Sequence, residues 1–97
     1  MTAETTETVQ AVKAEDAVRE EIRLYLENLL GLLVDDKKNL SVTFWRGEQT
    51  TVFQVMINKE QLGQLIGKKG RTISAIRELM KVVTGRLKIR AIVDLQE

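Results

Sequence analysis

Apolar positions along the chain change their period three times, and each change predicts an element. Val18, Ile22, Tyr25, Leu29 and Leu33 recur at spacings of four, three, four and four, and Leu26 and Leu30 widen the stripe. That is the period of one buried helix face, with Arg19, Glu20, Arg23 and Glu27 looking outward. The helix is predicted to begin near Glu15 and Asp16, acids well placed at the positive end of a helix dipole. Gly31 weakens its last turn, and the polar cluster from Asp35 to Asn39 makes a loop. Residues 1–14, rich in Thr, Glu, Ala and Val with no clean period, read as a disordered tail, leaving 15–97 as a single domain.

The period then falls to two. Leu40, Val42 and Phe44 alternate with Ser41, Thr43 and Trp45; after a turn at Arg46–Gln49, Phe53, Val55 and Ile57 alternate with Val52, Gln54 and Met56. Two such runs around a short polar turn predict a β-hairpin with one apolar face. Asn58 and Gln61 have the spacing of a capping box, opening a short helix from about Lys59 to Ile66. A further helix, roughly Arg71 to Thr84, is apolar at Ile73, Ile76, Leu79, Met80 and Val83, and Gly85 is expected to stop it. A last strand sets Leu87, Ile89, Ala91 and Val93 against Arg86, Lys88, Arg90 and Ile92. The order is α-β-β-α-α-β, an α+β domain with a three-stranded sheet and helices packed on one face. Trp45, Val52, Met56 and Ile92 fall on the opposite face, a candidate surface for self-association or a partner.

Between the two short helices stands Gly67-Lys68-Lys69-Gly70. A glycine-flanked turn leaves the first amides of the next helix without intrahelical partners, and the helix dipole favours an anion there. Two lysines add mobile positive charge. The loop is not a P-loop, because only three residues separate Gly63 from Gly67 and Lys69 stands where a hydroxyl is needed. Nor is it a dinucleotide fingerprint, since Leu65 replaces a required glycine and a helix, not a strand, precedes it.

Composition narrows the chemistry. The 97 residues hold neither cysteine nor histidine, which removes thiol chemistry, disulfides and the usual general base. No catalytic residues, metal ligands or cofactors are expected, and no small-molecule substrate. No apolar run approaches a membrane span and no signal-like start is present, so a cytoplasmic protein without a membrane partner is expected. The net charge of +1 conceals an asymmetry: residues 1–57 carry 6 basic and 10 acidic side chains, residues 58–97 carry 9 and 4. A polyanion is drawn to the half that holds the glycine turn.

The run Leu65-Ile66-Gly67-Lys68-Lys69-Gly70-Arg71-Thr72-Ile73-Ser74-Ala75-Ile76 resembles the core motif of the KH domain, Ile-Gly-x-x-Gly-x-x-Ile-x-x-Ile, at every fixed position. KH domains clamp the backbone of about four nucleotides with that GxxG loop. The element order matches the prokaryotic, type II, form. Over residues 16–95 the chain resembles the small bacterial single-KH proteins of the KhpA family, departing from them in its acidic, Thr-rich N-terminal extension. The resemblance implies that Gly67, Lys68, Lys69 and Gly70 hold a sugar-phosphate backbone, with Arg71 adding a charge-assisted bond. It implies a base groove walled by Ile66 and Ile73 on one side and by Arg86, Lys88 and Arg90 on the other. Ile66 and Ile73 read equally as core positions and Arg86, Lys88 and Arg90 as a solvated strand face, while Ile76 reads as core before groove and Arg77 and Lys81 as ordinary exposed helix positions.

The expected function is therefore non-catalytic binding of short single-stranded RNA, with single-stranded DNA left open. The resemblance further implies an RNA chaperone or post-transcriptional regulator touching cell shape, paired as a homodimer or with a second KH protein of the KhpB type. A ribosome-associated or assembly role, and a protein-interaction module, are the alternatives.

Overall fold

The computed structural model describes the backbone of residues 3–96 and the side chains of residues 16–96. Its elements are α1 (Ala3–Gly31), β1 (Ser41–Arg46), β2 (Thr51–Met56), α2 (Lys59–Ile66), a single 3-10 turn (Lys68–Gly70), α3 (Arg71–Arg86) and β3 (Ala91–Gln96). Helix α1 thus runs back through positions that the sequence assigns to a tail. The side chains of residues 1–15 lie outside the described residues, and the division of the chain near residue 15 stays a proposal. The strand order is β1-β2-β3, with β1 antiparallel and β3 parallel to β2. Helices α2 and α3 form the crossover that the parallel pair requires.

The core follows the predicted strand alternation. Val42, Phe53, Val55, Ile57 and Val93 point inward and meet Leu65, Ile73, Ile76 and Met80 from the crossover helices. Phe53 is fully enclosed, and its ring lies 6.0 Å from that of its cross-strand partner Phe44 at a tilt of 44°. Tilted aromatic pairs at such a distance are favourable beyond the area they bury.

Helix α1 sits differently from the predicted stripe. Its buried face is Ile22, Leu26 and Leu30, in strict i, i+4 steps, with Val34 buried just beyond the helix end, while Tyr25 is 67% exposed and Leu33 also reaches solvent. The rotation brings Arg23 and Glu27, expected to look outward, against the edge strand β1. Arg23 Nη1 donates to the Val42 carbonyl at 2.9 Å, and the Val42 N–H donates to Glu27 Oε2 at 3.1 Å. An edge strand's free backbone groups invite pairing with another chain, and here both groups of one residue are occupied. The Arg23 guanidinium is held above its ordinary pKa, mainly by its hydrogen bond with Glu20, against the opposing loss of hydration.

Two helix ends depart from expectation. Asn58 occupies the N-cap of α2, but its side chain makes no capping bond; its carbonyl accepts from the Gln61 and Leu62 amides instead. The Gln61 side chain, released from a capping box, accepts the Asp36 amide at 2.7 Å. Gln64 accepts the Asp35 amide and donates to the Asp35 carboxylate, so the α1–β1 loop is pinned to α2. Helix α3 passes through Gly85 and ends at Arg86. The left-handed residue that turns the chain is Lys88, with φ 58°. Ile89 N–H to Thr84 carbonyl and Lys88 N–H to Gly85 carbonyl complete a Schellman closure. Gly85 was the expected stop because glycine favours that conformation; the closure forms three residues later, on a lysine.

That placement gives a sign test in urea unfolding. Gly85→Ala should stabilise the protein by about 0.5–1 kcal/mol, as in any exposed helix interior, whereas a left-handed cap at Gly85 would make it destabilising. Lys88→Gly should stabilise by about 1 kcal/mol through relief of the left-handed side chain.

Candidate nucleic-acid interface

The junction of α2 and α3 is built on two glycines that serve different needs. Gly67 has φ 77° and ψ 173°, and its N–H closes α2 on the Gly63 carbonyl at 2.8 Å. A Cβ on Gly67 would stand 2.6 Å from Thr72 Cβ and 2.9 Å from Thr72 N, so both the space and the backbone angle exclude a side chain. Gly70, at φ 74°, has open space around it and is needed for conformation alone. Lys69 is left-handed as well, with φ 58°. The one turn ends with the Gly70 N–H donating to the Gly67 carbonyl at 3.1 Å. The amides of Lys68 and Lys69 precede that bond, at the positive end of the helical segment that continues into α3.

Lys68, Lys69 and Arg71 are exposed, and among the described residues no carboxylate pairs with them. Their charge is thus available to an anion. Of the two isoleucines proposed as groove wall, Ile73 is only 7% exposed and belongs to the core, while Ile66 is half-buried against that core. Ile76 is buried as well.

Arg86, Lys88 and Arg90 do not share a strand face. Arg86 is the last residue of α3, Lys88 the left-handed turn, and Arg90 the residue before β3. The strand starts later than its alternation predicts because α3 runs further and the Schellman closure uses residues 87–89. All three side chains are exposed, and among the described residues none is paired with a carboxylate. They gather at the far end of α3 from the glycine turn, about 22 Å along the helix axis.

A cleft of about 300 Å³ lies between α3 and the open edge of β3, lined by Arg77, Met80, Lys81 and the strand from Ala91 to Asp94. Arg77, read from sequence as merely exposed, spans it: Nε and Nη2 both donate to the Val93 carbonyl, at 3.2 and 3.1 Å. Lys81 stands one turn further along the same wall, paired with Glu78 by an exposed contact at 3.8 Å, which contributes little. The signal was present in the four-residue spacing of Arg77 and Lys81, in line with Gly70 and Ser74, but nothing in a sequence says that an edge strand faces that side. A larger hollow of about 460 Å³ between α1 and the following loop is lined by Glu27, whose carboxylate already holds Val42, and by Lys37, one cation facing one carboxylate.

The arrangement is an anion-seeking turn, a narrow cleft with a cation-bearing wall, and a second cation cluster at its far end. Among the described residues no group of three potential ligands stands ready for a metal, and no helix is long and apolar enough to cross a membrane.

Comparison with known proteins gives this arrangement a family. The family model described as KhpA/KhpB, KH domain matches residues 23–95. The protein named RNA-binding protein KhpA in Chlamydia pneumoniae is 32% identical over 73 residues, covering 75% of this chain and 94% of the relative. Its namesake in Aquifex aeolicus is 32% identical over 65 residues, 67% of this chain and 82% of the relative. That of Caldanaerobacter subterraneus is 35% identical over 63 residues, 65% and 84% respectively. The family match runs through the sheet, both crossover helices and the glycine turn. The chain belongs to the KhpA/KhpB family of KH domains.

Proposed function

We propose that this chain binds unpaired RNA, holding the sugar-phosphate backbone at Gly67–Gly70 and Arg71 and admitting bases to the cleft between α3 and β3. The observation that carries the reading is the unpaired charge of Lys68, Lys69 and Arg71 at a turn whose glycines leave the backbone bare. The name that the relatives bear, RNA-binding protein, supports it. Arg77 and Lys81 supply charge along the wall, and Arg86, Lys88 and Arg90 receive the strand where the cleft ends. Contacts made mainly to backbone position a strand without reading its sequence, so the preference among bases is weak.

One such site touches few nucleotides and binds weakly by itself. Pairing with a second copy, or with a KH protein of the KhpB type, multiplies the contacts by raising the effective concentration of the second site. A protein of this design acts in the cytoplasm as an RNA chaperone or post-transcriptional regulator, with effects that reach cell shape. Single-stranded DNA, which has the same phosphates, binds through the same loop.

Affinity for a uridine oligomer, measured by anisotropy at several salt concentrations, tests the reading. Three phosphate contacts at the loop predict a slope of log affinity on log salt near about −2. Lys68→Asp with Lys69→Asp should abolish measurable binding while leaving the unfolding free energy within about 0.5 kcal/mol of wild type; undiminished binding would refute the reading. Gly67→Ala should instead damage the fold itself, costing about 2 kcal/mol or more through the overlap with Thr72 and the left-handed strain.

A further inference from the structure

The outer face of the sheet carries an apolar row where the register brings Trp45, Val52 and Ile92 side by side across all three strands. The next row, Thr43, Gln54 and Asp94, is polar, and it separates Met56 from that row, so the four apolar residues expected there are not one patch. Trp45 is 55% exposed. Beside it Gly47 contributes no side chain; a Cβ there would stand in van der Waals contact, 3.6 Å from Trp45 Cζ3, so the glycine leaves that edge of the indole uncovered.

One row across three strands is about 10 Å wide, far short of the roughly 800 Å² per partner that a stable protein interface buries. It is wide enough for a nucleobase. Its charge surroundings match that ligand, because the row lies at the end of the sheet where the cations of the α3–β3 turn collect. Arg90 immediately precedes β3, and its carbonyl accepts the Thr51 amide at 2.8 Å, which fixes the start of the strand against β2. Strand alternation puts Arg90 on the side of Ile92, while Ala91 packs toward the core and cleft. The start of β3 is thus the border between cleft and outer face, and its charge is positive.

We infer that Trp45 is a second RNA contact: a strand that fills the cleft crosses the start of β3 at Arg90 and stacks an unpaired base on the Trp45–Val52–Ile92 row. This rests on the RNA-binding reading above and extends it from one groove to two faces of the domain. The occupant is an unpaired nucleotide, whose phosphate meets Arg90 and whose ring meets the indole. Aromatic platforms beside a cationic track bind single strands without strong regard to sequence.

Trp45 is the only tryptophan in the chain, so its emission reports on the row alone. The 97-residue chain is titrated with uridine oligomers of about four and about ten nucleotides, the shorter matched to the cleft. The longer oligomer should quench Trp45 with the same midpoint that anisotropy gives, and the shorter should bind without quenching. Trp45→Ala should weaken the longer oligomer about tenfold and leave the shorter unchanged, with most of the loss restored in Trp45→Phe. Equal binding of the longer oligomer by wild type and Trp45→Ala overturns the inference while the loop reading stands, provided Lys68→Asp with Lys69→Asp abolishes the shorter. Binding of the shorter oligomer that survives those lysine changes overturns both. A change in sedimentation mass on Trp45→Ala without RNA also overturns the inference, because the row is then a contact between copies.

Discussion

The near contact between Gly67 and Thr72 is the constraint on which the rest of this structure hangs. Helix α2 must end and α3 begin within four residues, and the two helices must diverge while both pack on one sheet. Gly67 achieves this by leaving α2 at a backbone angle that places its Cα against Thr72, where any side chain would overlap. The same geometry makes the turn chemically useful. A backbone folded so tightly has no side chain over its outer surface at either glycine, and its lysines project from the rim. The tight turn that the fold requires and the bare backbone that the proposed anion contact requires are met by one residue.

A second principle organises the sheet. With three strands it has two open edges, and an arginine from a helix reaches each. Arg23 and Glu27 of α1 occupy both backbone groups of Val42 on β1, and Arg77 of α3 occupies the Val93 carbonyl on β3. Both sites blunt an edge that would otherwise pair with a neighbouring chain. Their consequences differ. The β1 edge is held by an arginine and a glutamate that pair with each other, whereas Arg77, which has no carboxylate partner among the described residues, brings its charge into the cleft between α3 and β3. One edge is capped at Val42 and the other borders a groove.

Much of this was legible in the residues because it depends on local pattern. The glycine spacing with its flanking isoleucines gave the turn, and the alternation of Val42, Phe44, Phe53 and Val55 gave the hairpin and its inner face. Helix α2 appears with the predicted ends. What escaped depends on contacts between distant positions. Arg23 and Arg77 look like any solvated helix residue until the strand beside them is known. Tyr25 fits the apolar stripe of α1 as well as Leu26 does; only docking on the sheet decides which faces inward. Gly85 has the sequence character of a helix stop, but α3 runs through it to Arg86 and the closure falls on Lys88. That shift moved the strand start and dispersed Arg86, Lys88 and Arg90 from a strand face to a corner.

The central claim is that the backbone of an unpaired strand is held by the amides and lysines between α2 and α3. Amide chemical shifts recorded on the full chain during titration with a short uridine oligomer at low salt test it most directly. The account predicts saturable shifts concentrated at residues 67–71 and fading along α3 toward Arg86. Resonances at 67–71 that stay in place while the oligomer binds elsewhere, or fails to bind, would contradict it.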